Sequence, residues 1–151
     1  MKIKLIGSGH YYLHPTAIVE SLGGVVEVGN STYIGPWVIL TGPCWIGQGV
    51  YIGARTTIGP MTTIHDYAKI GHNVVIAGKY NVIGPNAEIG HGAMLRAMAC
   101  VGEYAKVGTG SVLLKDVPCY GVAYGNPACL RGWMCSCGRD PDPEPMDVHR
   151  P

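Results

Sequence analysis

At 151 residues the chain has room for one ordinary domain, and its formal charge of +1 leaves no basic stripe of the kind that reads a nucleic-acid backbone. Hydrophobic residues make up 47%, charged residues 14%, and glycine fills 23 positions. That mixture argues against a disordered chain and against a helical bundle, and favours a repetitive, glycine-punctuated fold.

In chain order, residues 1–13 carry two lysines but neither a long apolar stretch nor a small-residue cleavage site, and nowhere do apolar residues run long enough to cross a bilayer. The expectation is a soluble, cytoplasmic protein without a membrane partner. Residues 13–19 read as an irregular opening coil. From Val28 a strict pattern begins: aliphatic residues stand six apart at Val28, Ile34, Leu40, Ile46, Ile52, Ile58, Ile64, Ile70 and Ile76. After one step of seven the series resumes at Ile83, Ile89, Leu95, Val101, Val107 and Leu113. A helical period of 3.6 cannot generate this spacing, and simple strand alternation does not require it.

Two companion columns share the register. Glycine directly follows the aliphatic residue at ten of these positions, among them Gly53, Gly71 and Gly90, where it suits a tight corner. Four residues after the aliphatic stands a small side chain, with Tyr80 the one large exception. Each unit is therefore a short strand and a corner, with the aliphatic and the small residue pointing inward. Three units close a triangular coil, and coils stack at about 4.8 Å so that residues 18 apart lie above one another. This is an all-β, parallel β-helix, read as left-handed, in which no coil buries its face alone. At the seven-residue step, Tyr80, Asn81 and Val82 are expected to bulge outward. Residues 118–133 should fold back as a C-terminal cap. The domain is then residues 1–139, and residues 140–151 form a charged, proline-rich tail expected to be disordered.

The hexapeptide period, which covers roughly two-thirds of the chain, resembles that of the hexapeptide-repeat acyltransferase superfamily. The segments Val107-Gly108-Thr109-Gly110-Ser111-Val112, Lys115-Asp116-Val117-Pro118 and Gly125-Asn126-Pro127-Ala128 resemble the closing segment of its acetyl-coenzyme A dependent branch. Gly125 through Trp133, followed by Cys135-Ser136-Cys137-Gly138, is similar to the N-acetyltransferases that act on nucleotide-linked amino sugars. The resemblance implies a homotrimer with acetyl-coenzyme A in the groove between neighbouring β-helices, and transfer of acetyl to an amine or hydroxyl of a small acceptor. One departure stands out: the long loop that covers the sugar in those enzymes is missing here.

Acyl transfer from a thioester needs a proton acceptor for the attacking group and donors for the developing oxyanion. Histidine is the natural base near neutral pH. His72 and His91 each stand two after a ladder isoleucine, one coil apart, and should stack at one corner. His65 stands one after Ile64, beside Asp66, which could orient it. By resemblance, His91 falls in the unit that carries the catalytic histidine of galactoside and maltose O-acetyltransferases, displaced by one residue. The expected order for the base is His91, His65, His72. The resemblance also implies that coenzyme A meets the backbone near Gly108, Thr109 and Gly110, with Lys115 and Arg131 near its phosphates, and that no metal is required. Glu103, Asn86 and Arg96 are outward residues within reach of an acceptor.

Two other readings share the fold. A γ-type carbonic anhydrase holds zinc with three histidines from two subunits, but its pair with four residues between them is absent, since His65 and His72 have six between them. The other is a non-catalytic β-solenoid that binds or scaffolds. The six cysteines are scattered, so reduced thiols are expected, and Cys135 with Cys137 has a weak spacing for a metal.

Overall fold

The computed structural model describes residues 3–134, and the expectations for the tail and for Cys135 and Cys137 lie outside the described residues. Among the described residues every regular element is a strand, most of them two residues long, and no helix is long and apolar enough to cross a membrane. The strands build a parallel β-solenoid with three faces. On one face the inward ladder is Leu40, Ile58, Ile76, Leu95 and Leu113. On the next it is Val28, Ile46, Ile64, Ile83 and Val101. The third carries Ile34, Ile52, Ile70, Ile89 and Val107. None of these side chains is more than 3% exposed. Each contributes about 1.5–3 kcal/mol through removal from water, so the ladders carry the fold.

The small-residue column fills the slots between the ladders: Thr32, Val38, Val50, Thr56, Ala68, Val74, Ala87, Ala93, Ala99, Ala105 and Ser111 are all buried. Its buried hydroxyls bond to backbone. Thr56 Oγ1 donates to Gly71 O at 2.8 Å and accepts from Val74 N at 3.3 Å.

The seven-residue step resolves differently from the expectation. Asn81, not Tyr80, takes the inward slot and is fully buried, while Tyr80 is 56% exposed. Val82 is not bulged; it pairs with Thr63 below and Cys100 above. The extra residue is absorbed in the exposed run 77–80. The reason is polar satisfaction: Asn81 Nδ2 donates to Ala77 O at 2.8 Å, and Ala99 N donates to Asn81 Oδ1 at 2.9 Å.

The corner glycines also have a different reason. The left-handed backbone falls three residues after the aliphatic, on side chains such as Arg55 (φ 60), Tyr67 (φ 61) and Asn73 (φ 56). The glycine next to the aliphatic is there for close approach between coils: a Cβ on Gly71 would lie 2.7 Å from His91 Nδ1 and 2.8 Å from its backbone nitrogen.

The opening segment is irregular in spacing, and two short strands of it pair with the coil above. Ile3–Ile6 runs parallel to residues 26–29, and Tyr12–Leu13 to Tyr33–Ile34. At the other end, strand Gly121–Gly125 adds in parallel to Lys106–Val107, then turns into the antiparallel strand Ala128–Trp133.

Candidate active site

The corner that follows the Ile52 face carries Ala54, His72, His91 and Thr109 at the second position after the ladder residue. His72 and His91 stack there, their ring centroids 4.9 Å apart and their planes within 6°. Each ring accepts at Nδ1 from the backbone of the coil below. Ala54 N donates to His72 Nδ1 at 2.7 Å, and His72 N donates to His91 Nδ1 at 2.8 Å. At the preceding corner Asp66 fills the same slot, its Oδ1 accepting from Gln48 N at 2.9 Å.

This pattern sets the protons. A ring nitrogen that accepts a hydrogen bond carries none, so each neutral imidazole holds its proton on Nε2, the nitrogen opposite the backbone contact. The expectation that His91 is the base therefore meets an obstacle. Accepting a proton at Nε2 requires the other tautomer, whose Nδ1–H would face the N–H of His72, donor against donor.

His65 is not brought to this pair by its own chain. It sits at the preceding corner and meets Trp45 edge-on, with centroids 5.7 Å apart. Asp66, expected to orient it, directs an oxygen to Gln48 instead.

Beside the stacked pair a groove of about 430 Å³ runs along the Ile52 face, lined by Tyr51, Lys69, Glu88, His91, Lys106 and Thr109 together with Gly108. Tyr51 closes its lower end, ring edge toward His72 at 6.3 Å, as the last of a stack with Tyr33 and Tyr12. Glu88 lies between two lysines, 4.0 Å from Lys69 Nζ and 3.8 Å from Lys106 Nζ. These pairs are partly solvated and stabilise by at most about 1 kcal/mol each, so their main effect is to set charge along the groove wall. Tyr51, Lys69, Glu88 and Lys106 were missed by motif reading. All four directly precede a ladder residue on one face, so an 18-residue register would have collected them.

The residues expected to hold coenzyme A divide. Gly108 and Thr109 line the groove with His91, and Gly110 follows with positive φ (69°) and open space where a Cβ would stand. Arg131 joins the same corner through Tyr124. Its guanidinium carbon lies 5.3 Å from the Tyr124 ring centroid, Nε donates to Tyr124 O at 3.4 Å, and Tyr124 packs directly on Gly108. Lys115 stands at the next corner, where with Leu113, Val117, Ala128, Cys129 and Leu130 it lines a separate apolar pocket of about 350 Å³. Of the three residues considered for an acceptor, Glu103 and Arg96 are exposed and Asn86 is half-buried. Arg96 is turned to the backbone, donating to Leu114 O and Ala97 O. Among the described residues no three His, Cys, Asp or Glu side chains converge as a metal site would need.

Known proteins share parts of this solenoid. Residues 25–60 and 43–78 match the family described as bacterial transferase hexapeptide (six repeats). The chain is a hexapeptide-repeat β-solenoid. It is 45% identical over 56 residues to a dTDP-3-amino-3,6-dideoxy-alpha-D-galactopyranose 3-N-acetyltransferase of Aneurinibacillus thermoaerophilus, which covers 37% of this chain and 29% of that one. Among solved structures it is similar to a GDP-perosamine N-acetyltransferase mutant from Caulobacter crescentus in complex with coenzyme A and GDP-perosamine. The TM-score is 0.76 at 24% identity, over 83% of this chain and 58% of that one. It is also similar to an N-acyltransferase mutant from Bacillus cereus in complex with dTDP and coenzyme A, with a TM-score of 0.71 at 20% identity over 77% and 76% of the two chains. The chain spans 28% to 48% of the length of the curated relatives it matches.

Proposed function

We propose that the protein transfers an acetyl group from acetyl-coenzyme A to the amine of a small acceptor of the nucleotide-linked amino-sugar class. The observation that carries this reading is His91, stacked on His72, at a groove that also holds Gly108 and Thr109. Gly90 and Gly108 leave backbone open along the groove where a pantetheine arm would pass, and the His91 ring stands at its edge. The names of the similar proteins support both halves: an amino-sugar N-acetyltransferase in sequence, and complexes with coenzyme A in fold. On this reading the coil is left-handed, the terminal hairpin caps it, and the enzyme is a cytoplasmic homotrimer. Arg131 lies near the coenzyme A phosphates, whereas Lys115 contacts them from the neighbouring corner. His65 approaches the groove of an adjacent subunit.

The test is acetyl-coenzyme A with a panel of nucleotide-linked amino sugars and simple amines, following thiol release, with sedimentation velocity on the same preparation. Acetylation of at least one amino sugar by a trimer is expected. Coenzyme A that fails to bind at millimolar concentration overturns the reading in favour of a non-catalytic solenoid.

A further inference from the structure

We infer that His91 acts in this reaction as a fixed hydrogen-bond donor to the acyl oxygen, through Nε2–H, and that no histidine of this corner takes the amine's proton. The inference rests on the acetyl-transfer reading and goes beyond it in assigning the direction of the hydrogen bond.

Three observations lead there. First, the Nδ1 lone pair of His91 is engaged by His72 N at 2.8 Å, and that of His72 by Ala54 N at 2.7 Å, so both rings are held in one tautomer by backbone that does not move independently of the coil. Second, the rings cannot turn over freely. They lie parallel at 4.9 Å, and the close seat of each Nδ1 on the coil below is possible because Gly53 and Gly71 have no Cβ, which would come within 2.6 Å and 2.7 Å of the two nitrogens. Third, the structural requirement of this slot is met elsewhere by a plain carboxylate, as Asp66 shows on Gln48 N. What an imidazole adds over Asp66 is an N–H on the outer side, and His91 presents it where the groove begins. Glu88 is the carboxylate of the groove lining, and it lies between Lys69 and Lys106.

The step then balances as follows. The unprotonated amine of the acceptor adds to the thioester carbonyl carbon, and the carbonyl oxygen gains negative charge against His91 Nε2–H. The tetrahedral adduct collapses with cleavage of the C–S bond. Coenzyme A leaves as thiolate, and the proton lost by the new amide nitrogen neutralises that sulfur, directly or through water. The products are the N-acetylated acceptor and free coenzyme A thiol, with no oxidant, reductant or metal needed. A donor preorganised for the oxyanion accelerates such a step by about 10²–10³.

The experiment uses the intact protein, two variants and one spectroscopic readout. His91→Asn keeps an oxygen able to accept from His72 N, as Asn81 does from Ala99 N, while its amide N–H groups fall short of the Nε2 position. His91→Gln restores an N–H at about the reach of Nε2. Expected are a fall in kcat of about 10²–10³ for His91→Asn with its melting temperature kept, and recovery of at least tenfold in His91→Gln. In the wild type, nitrogen-15 NMR should find His91 protonated on Nε2 and bare on Nδ1. Wild-type kcat in His91→Asn, no recovery in His91→Gln, or a proton on Nδ1 of the neutral ring each overturns the donor role. Absence of thiol release by the wild type overturns the acetyl-transfer reading itself, and the NMR result separates that failure from a wrong tautomer.

Discussion

Gly71→Ala tests the close approach of successive coils. The backbone of Gly71 is not in the left-handed region, so alanine carries no conformational penalty of its own there. The added methyl would stand 2.7 Å from His91 Nδ1, 2.8 Å from His91 N and 3.0 Å from His91 Cα. Two of these three atoms are backbone of the next coil, so relief requires lifting that coil rather than rotating a side chain. Overpacking of this kind costs about 1–3 kcal/mol. Loss of the His72 N to His91 Nδ1 bond adds about 1 kcal/mol, for a total of about 2–4 kcal/mol. The comparison is Gly92→Ala, on the same corner. There φ is +69° and the nearest neighbour is 4.0 Å away, so alanine meets left-handed strain alone, about 1–2 kcal/mol. Urea unfolding at one protomer concentration, followed by circular dichroism, measures both. Gly71→Ala should be the more destabilised, and its ring stacking should be lost. A Gly71→Ala midpoint equal to or above that of Gly92→Ala would refute the claim that these glycines serve coil spacing.

Further outcomes concern Asn81, its exposed neighbour Tyr80 and the buried thiol of Cys44. Asn81→Leu should cost about 1–3 kcal/mol in the same unfolding assay, because it removes the donor to Ala77 C=O and leaves Ala99 N–H only the long 3.4 Å bond to Arg96 O. Tyr80→Ala, at a side chain that is 56% exposed and takes no part in either bond, should change stability by less than about 0.5 kcal/mol. Burial pushes the Cys44 thiol up from 9.0 to about 12. A disulfide reagent at pH 8 should therefore label exposed Cys119 and Cys129 in the native protein and reach Cys44 only after unfolding. The sign of the linkage is set by the same shift: between pH 9.0 and about 12 the folded chain keeps a proton that the unfolded chain releases, so the contribution of Cys44 to stability falls as pH rises through that window.

The coil was legible in the residues alone because its inward slots tolerate so little. An aliphatic every six positions and a small residue four later leave one winding in which Ile52, Ile70, Ile89 and Val107 share a ladder, and that winding already stacks His91 on His72. The seven-residue step was ambiguous because periodicity alone allows the extra residue at more than one place. The two hydrogen bonds of Asn81, one to Ala77 in its own corner and one from Ala99 on the next coil, decide it. Glycine after the aliphatic was legible as a pattern but not as a cause, since its partner lies on the next coil, as far as 20 residues away for Gly71 and His91. The separation of Lys115 from Gly108 and Thr109 also came from tertiary structure, because the terminal hairpin leaves the 18-residue register and Val107 pairs with Ala123. Above all, which histidine nitrogen holds the proton is written in no sequence column: it depends on a backbone N–H that faces Nδ1 only once one coil lies on another.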